Sequence, residues 1–138
     1  MSEENKALIR RWFEEVWNKG REDAIDEMLA DEAVVHGLAD ESGQPLHGLQ
    51  DFHAFHQKFR QAFPDIYVTV DDVITEGDKG AVRCSVRGSH TGDSLGFEAS
   101  HKPVEFTGMS MVRIADGKIV EAWNNFDFMN MYQQIGAR

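Results

Sequence analysis

Apolar positions along the chain recur at two spacings, and each change of spacing marks a change of element. Over residues 3–18, Leu8, Ile9, Trp12, Phe13, Val16 and Trp17 form one broad stripe at helical spacing. Glu3 and Glu4 fall in its first turn, where acidic side chains suit the positive end of the helix dipole. Gly20 supplies a stop. Residues 22–30 predict a second, short helix with Ala24, Ile25, Met28 and Leu29 inward. Residues 32–37 predict a short strand ending near His36, and 38–48 read as loop. Leu49, Phe52, Phe55, Phe59 and Phe63 line one face of a third helix, and Pro64 ends it.

The spacing then drops to two. Residues 65–76 and 81–90 read as strands around Gly77-Asp78-Lys79-Gly80, and the second puts Val82, Cys84 and Val86 on one face. A loop over 91–103 follows. Residues 104–128 then read as one hairpin, with Val104, Phe106, Gly108, Ser110, Val112 and Ile114 alternating toward an Asp116-Gly117 type I′ turn. Met129, Met131, Tyr132 and Ile135 predict a closing helix. Segregated helices and strands predict an α+β fold, a curved antiparallel sheet packing its concave face on the helices. One domain is expected to span residues 1–138.

Charge and cysteine usage narrow the partners. The formal net charge is −10 with no basic cluster, which argues against nucleic acid and anionic membranes. Cys84 is the one cysteine, so an intrachain disulfide and a cysteine-based zinc site are excluded. The acidic start leads directly into an amphipathic segment, unlike a secretory signal, and no apolar run is long enough to span a bilayer. A cytoplasmic protein is expected.

Polar residues interrupt the last strand among aromatics: Asn124, Asn125 and Asp127 follow Trp123 and flank Phe126. Strand parity groups Ser110 with Phe106 and Val112, and Asn124 with Val120 and Ala122. If both faces are concave, Ser110 and Asn124 form a neutral polar pair deep in the fold, able to hold a carbonyl or hydroxyl. Asp127 is either a base whose pKa is raised among aromatics or the N-cap of the closing helix. His53 and His56 stand at helical spacing, but a metal would need a further ligand such as His36 and no companion motif is present. No metal is expected, and His56 reads as pocket-lining or as a satisfied core histidine. His90 shares the parity of Val82 and Cys84 and either faces the cavity mouth or ends the strand. Trp12, Trp17, Phe55, Phe59 and Phe106 are core or pocket wall. Arg83, Arg87 and Arg113 fall on the convex face, where pairing with acids such as Glu121 is expected. Trp123 on that face predicts a homodimer.

The order of elements and several stretches resemble the SnoaL-like, polyketide-cyclase-like family of the nuclear transport factor 2-like superfamily. These are WFEEVWNKG at 12–20, AFPDI at 62–66, GSHTG at 88–92, KPVEFTG at 102–108, DGKIVEAWNNFD at 116–127 and QIG at 134–136. The resemblance implies a cone-shaped α+β barrel with an apolar pocket, often a homodimer. It implies aldol-type ring closure without metal or cofactor, using an acid in the last strand and an assisting histidine. Those two positions fall on Asn124 and Ser110 here. Asparagine cannot exchange a proton near neutral pH, so any base must come from His36, His56, His90 or Asp127. Two readings stay open: a cofactor-free cyclase or isomerase acting on a small, largely apolar carbonyl compound, and a non-catalytic module that binds such a molecule. On either, Asn124→Asp is expected to change pH dependence or activity more than stability.

Overall fold

The structure, a computed structural model, describes residues 2–39 and 43–136. Helix α1 (Ser2–Arg11) runs directly into a π-helical segment (Trp12–Asn18), followed by α2 (Glu22–Met28), β1 (Leu29–Ala39), β2 (Pro45–His47) and α3 (Gly48–Ala62). Strands β3 (Tyr67–Glu76), β4 (Lys79–Ser89), β5 (Pro103–Ala115) and β6 (Lys118–Phe126) follow, and α4 (Phe128–Gln134) closes the chain. The six strands form one sheet in the order β2-β1-β6-β5-β4-β3.

That sheet curls around α1, the π segment and α3, giving an α+β cone. It is mixed rather than antiparallel throughout, because β1 pairs parallel to β6, with Val35 opposite Ala122 and His36 opposite Trp123. Two expectations for this region change. The first strand spans Leu29–Ala39 instead of 32–37, since pairing with β6 begins at Leu29 and pairing with β2 reaches Ala39. The segment read as loop contains β2, held at the sheet edge by pairing Leu46 with Val35 and by burying Leu46 to 1% exposure. Residues 40–42 of that segment lie outside the described residues. Truncating Leu46 to alanine would cost about 2–5 kcal/mol, the usual range for a buried leucine.

The π-helical segment widens the helix so that Trp12, Phe13, Val16 and Trp17 are all buried on one side. Lys19 N donates to the carbonyl of Glu14, five residues back, the bond that defines this winding. In the hairpin, Asp116 and Gly117 have φ of 53° and 75°, as a type I′ turn requires. Beyond the turn the register slips: Arg113 opposes Glu121 but Ile114 opposes Ile119. Val120 is thus an extra, bulged residue. Ile119 faces the cone with Ala122 and Asn124, correcting the parity that had grouped Val120 with them.

Candidate functional site

The concave face of the sheet and the aromatic faces of the π segment and α3 enclose a cavity of about 80 Å³. Trp12, Trp17, Phe55, Phe59 and Phe106 all line it. Trp17 sits edge-on to Phe55 and Phe59, with ring centroids 6.4 and 5.9 Å away. Phe128 closes one end against Phe59 at 6.0 Å and Phe106 at 5.9 Å. Phe126 shares the strand parity of Asn124, which places it inside. A Cβ on Gly108 would come within 2.3 Å of the Phe126 ring, so glycine there makes the space this ring fills.

Ser110 and Asn124 are opposite one another on β5 and β6, and they are the polar lining residues. Ser110 Oγ donates to Asn124 Oδ1 at 2.8 Å. Asn124 Nδ2 donates to the backbone carbonyl of His36 at 2.9 Å. Every other described lining residue is apolar, and none of the described lining residues is titratable.

The histidines and Asp127 stand elsewhere. His36 projects from the outer face of the sheet, stacked on Trp123 at 5.6 Å with Nε2 2.8 Å from Glu121 Oε2. The cause is parity: Val35 is buried, so its neighbour in β1 points the other way. Glu121 also accepts from Arg113 Nη2 at 3.3 Å, and the His36 hydrogen bond holds its carboxyl below the usual range.

His56 is buried in α3 behind the wall, not in it. Its Nε2 donates to the Val16 carbonyl at 2.7 Å, and the Trp17 ring covers it at 4.9 Å. Nδ1 lies 3.8 Å from a Glu22 oxygen without a hydrogen bond. Burial pushes this imidazole's pKa down. His53 is separated from it, with one ring nitrogen 2.9 Å from Glu22 and the other 2.9 Å from Asp26. Burial opposes the charge of His53, but those two carboxylates outweigh it and raise the pKa.

His90 is buried against Phe63 rather than at the cavity mouth, because the chain leaves the strand at Ser89. Its Nδ1 accepts from the backbone N–H of Ser100 at 3.1 Å, and burial lowers its pKa. Asp127 is exposed and caps α4, accepting from Asn130 N at 3.1 Å. The four residues considered as bases, His36, His56, His90 and Asp127, therefore stand outside the lining. Among the described residues, no group of three or more His, Cys, Asp or Glu side chains is arranged to hold a metal ion. No helix among them is long and apolar enough to cross a membrane.

The sequence pattern of the SnoaL-like polyketide cyclases matches residues 7–135. The chain belongs to this SnoaL-like family. Among curated relatives it is similar to aklanonic acid methyl ester cyclase DauD of Streptomyces sp. (strain C5), 28% identical over 131 residues, covering 94% of this chain and 80% of DauD. Among solved structures it is similar to IdmH, a candidate polyketide cyclase from Streptomyces antibioticus, at 31% identity and TM-score 0.81, covering 95% of this chain and 97% of that one. A candidate SnoaL-like polyketide cyclase from Jannaschia sp. CCS1 superposes with TM-score 0.87 at 25% identity, over 99% of this chain and 94% of the other.

Proposed function

We propose that this SnoaL-like cone binds a small, largely apolar molecule bearing a carbonyl or hydroxyl, and that Ser110 and Asn124 anchor its oxygen. The carrying observation is the lining itself: an aromatic cleft with one neutral polar pair and no titratable group among the described residues. Such a cleft can hold a flexible chain folded and polarise a carbonyl through the amide of Asn124. Those effects accelerate ring closure by positioning. They do not abstract a proton, so a cyclase activity here would place an already enolised substrate, whose enol proton passes through water to the new hydroxyl as the carbon–carbon bond forms. The names of DauD and IdmH favour cyclase-type activity. Asn124 in the acid's position favours the second reading, a module that binds without turnover.

The test is a titration of isotopically labelled protein with 1-naphthol, followed by amide shifts. The expected result is that the Asn124 side-chain amide and the Ser110 N–H move most. Shifts confined to the outer face around Met109 and Trp123 would refute the pocket reading. Turnover of aklanonic acid methyl ester, the compound named for DauD, separates the two readings. Ring closure supports the cyclase, and saturable binding without product supports the module.

A further inference from the structure

The hydrogen bonds around Asn124 give the anchor a direction. The His36 carbonyl is only an acceptor, so the atom 2.9 Å from it must be the amide nitrogen. Turning the amide over would set two oxygens against each other. With the nitrogen fixed toward β1, Oδ1 must face Ser110 and accept its hydroxyl hydrogen at 2.8 Å. The hydroxyl hydrogen of Ser110 is thereby used up within the protein. Toward the cavity the pair offers the lone pairs of Ser110 Oγ and Asn124 Oδ1 as acceptors, and the second N–H of Asn124 as a donor. Ser110 is 5% exposed and the rest of the wall is apolar, so a group bound there has no other polar partner in the lining.

From this geometry we infer that the pocket selects a hydroxyl, either phenol or enol, over an ether or a lone ketone at the anchor. A hydroxyl donates to the Ser110–Asn124 oxygens and accepts from the amide N–H. An ether or ketone presents oxygen lone pairs to oxygen lone pairs and uses only the N–H. A buried acceptor left without a donor is costly, and that cost is the source of the discrimination. The ligand class is thus a small, largely apolar molecule that presents a hydroxyl or enol at this anchor. The inference rests on the pocket reading above and deepens it.

Isothermal titration of the full chain with 1-naphthol, 1-methoxynaphthalene and naphthalene tests it. Naphthol is expected to bind at least about tenfold tighter than the methyl ether, one donated bond's worth of selectivity. In Asn124→Ala the Ser110 hydroxyl is freed to donate, so the preference is expected to fall to near unity or to favour the ether. Equal binding of naphthol and ether by the unaltered protein overturns the hydroxyl inference while leaving the pocket reading in place. Binding of none of the three removes the pocket reading and this inference together. The comparison on the unaltered protein stands whether or not the alanine variant folds.

Discussion

The side-chain amide of Asn124 is tied to the main chain of β1, with its Nδ2 donating to the His36 carbonyl at 2.9 Å. The next residue makes this approach possible. Gly37 has φ +85°, and a Cβ there would sit 1.9 Å from the backbone oxygen of Asn124. Gly37→Ala is therefore expected to push β1 from β6, at a cost of about 2 kcal/mol or more. Urea unfolding reads the loss, and naphthol affinity should fall with it because the anchor loses its orientation. Unchanged stability would mean that the strands do not meet this closely.

The walls of the site were readable and its back was not. Trp12, Trp17, Phe55 and Phe59 announced themselves by spacing, although the few residues 12–18 do not distinguish a π winding from an α one. Ser110 and Asn124 followed from strand parity, which survives wherever no residue is inserted. Val120 defeated that reasoning because a bulge leaves no mark in composition. His36 was misplaced although its own strand held the answer, since inward Ala33 and Val35 turn it outward. The buried places of His56 and His90 depend on contacts with Val16, Phe63 and Ser100, remote in sequence and invisible to periodicity.

Two histidines on α3 are expected to pull stability in opposite directions with pH. His56 has a lowered folded pKa, from burial first, which outweighs the hydrogen bond to the Val16 carbonyl and the Glu22 charge, with Arg60 and His53 adding to it. Below about pH 6.5 the unfolded chain takes up the proton first, so this residue removes stability as pH falls from 7 to 5. His53 has a raised folded pKa. Its contribution is complete below about pH 6.5 and is lost as pH rises through the folded value. His56→Phe should flatten the acid side of the stability profile, leaving the part due to His90. His53→Gln should flatten the alkaline side. Unfolding midpoints at pH 5, 6.5 and 8 check both, and a steeper acid loss in His56→Phe would contradict the assignment.

The outer sheet face presents Met109 and Met111, 58% and 45% exposed, beside Trp123, whose ring is only partly covered by His36. We expect a second copy of the chain to cover this patch. Light scattering should give a dimer mass at micromolar concentration, and Met109→Glu with Met111→Glu should give a monomer that remains folded by circular dichroism. A monomer before substitution would sink the proposal.

Asn124→Asp would introduce an acid into the lining, and the His36 carbonyl decides how it behaves. Ionised aspartate would set one oxygen against Ser110, which donates to it, and the other against that carbonyl, which cannot. Protonated aspartate reproduces the present pattern, accepting from Ser110 and donating to His36. The folded pKa should therefore rise above the ordinary value of about 3.9. With the folded state holding its proton more tightly, stability falls as pH rises between the two values. The variant should approach the unaltered protein near pH 4 and lie below it by about 1–3 kcal/mol at pH 8, the cost of an unpaired buried acceptor. A pH-dependent loss of stability thus accompanies the expected change in pH dependence or activity. Above the raised pKa the carboxylate is a base facing the cavity, so any turnover should appear on that alkaline limb, where the protein is weakest. Paired urea melts at pH 4 and pH 8 decide the matter, and a stability difference independent of pH would show that the side chain at 124 does not face the His36 carbonyl.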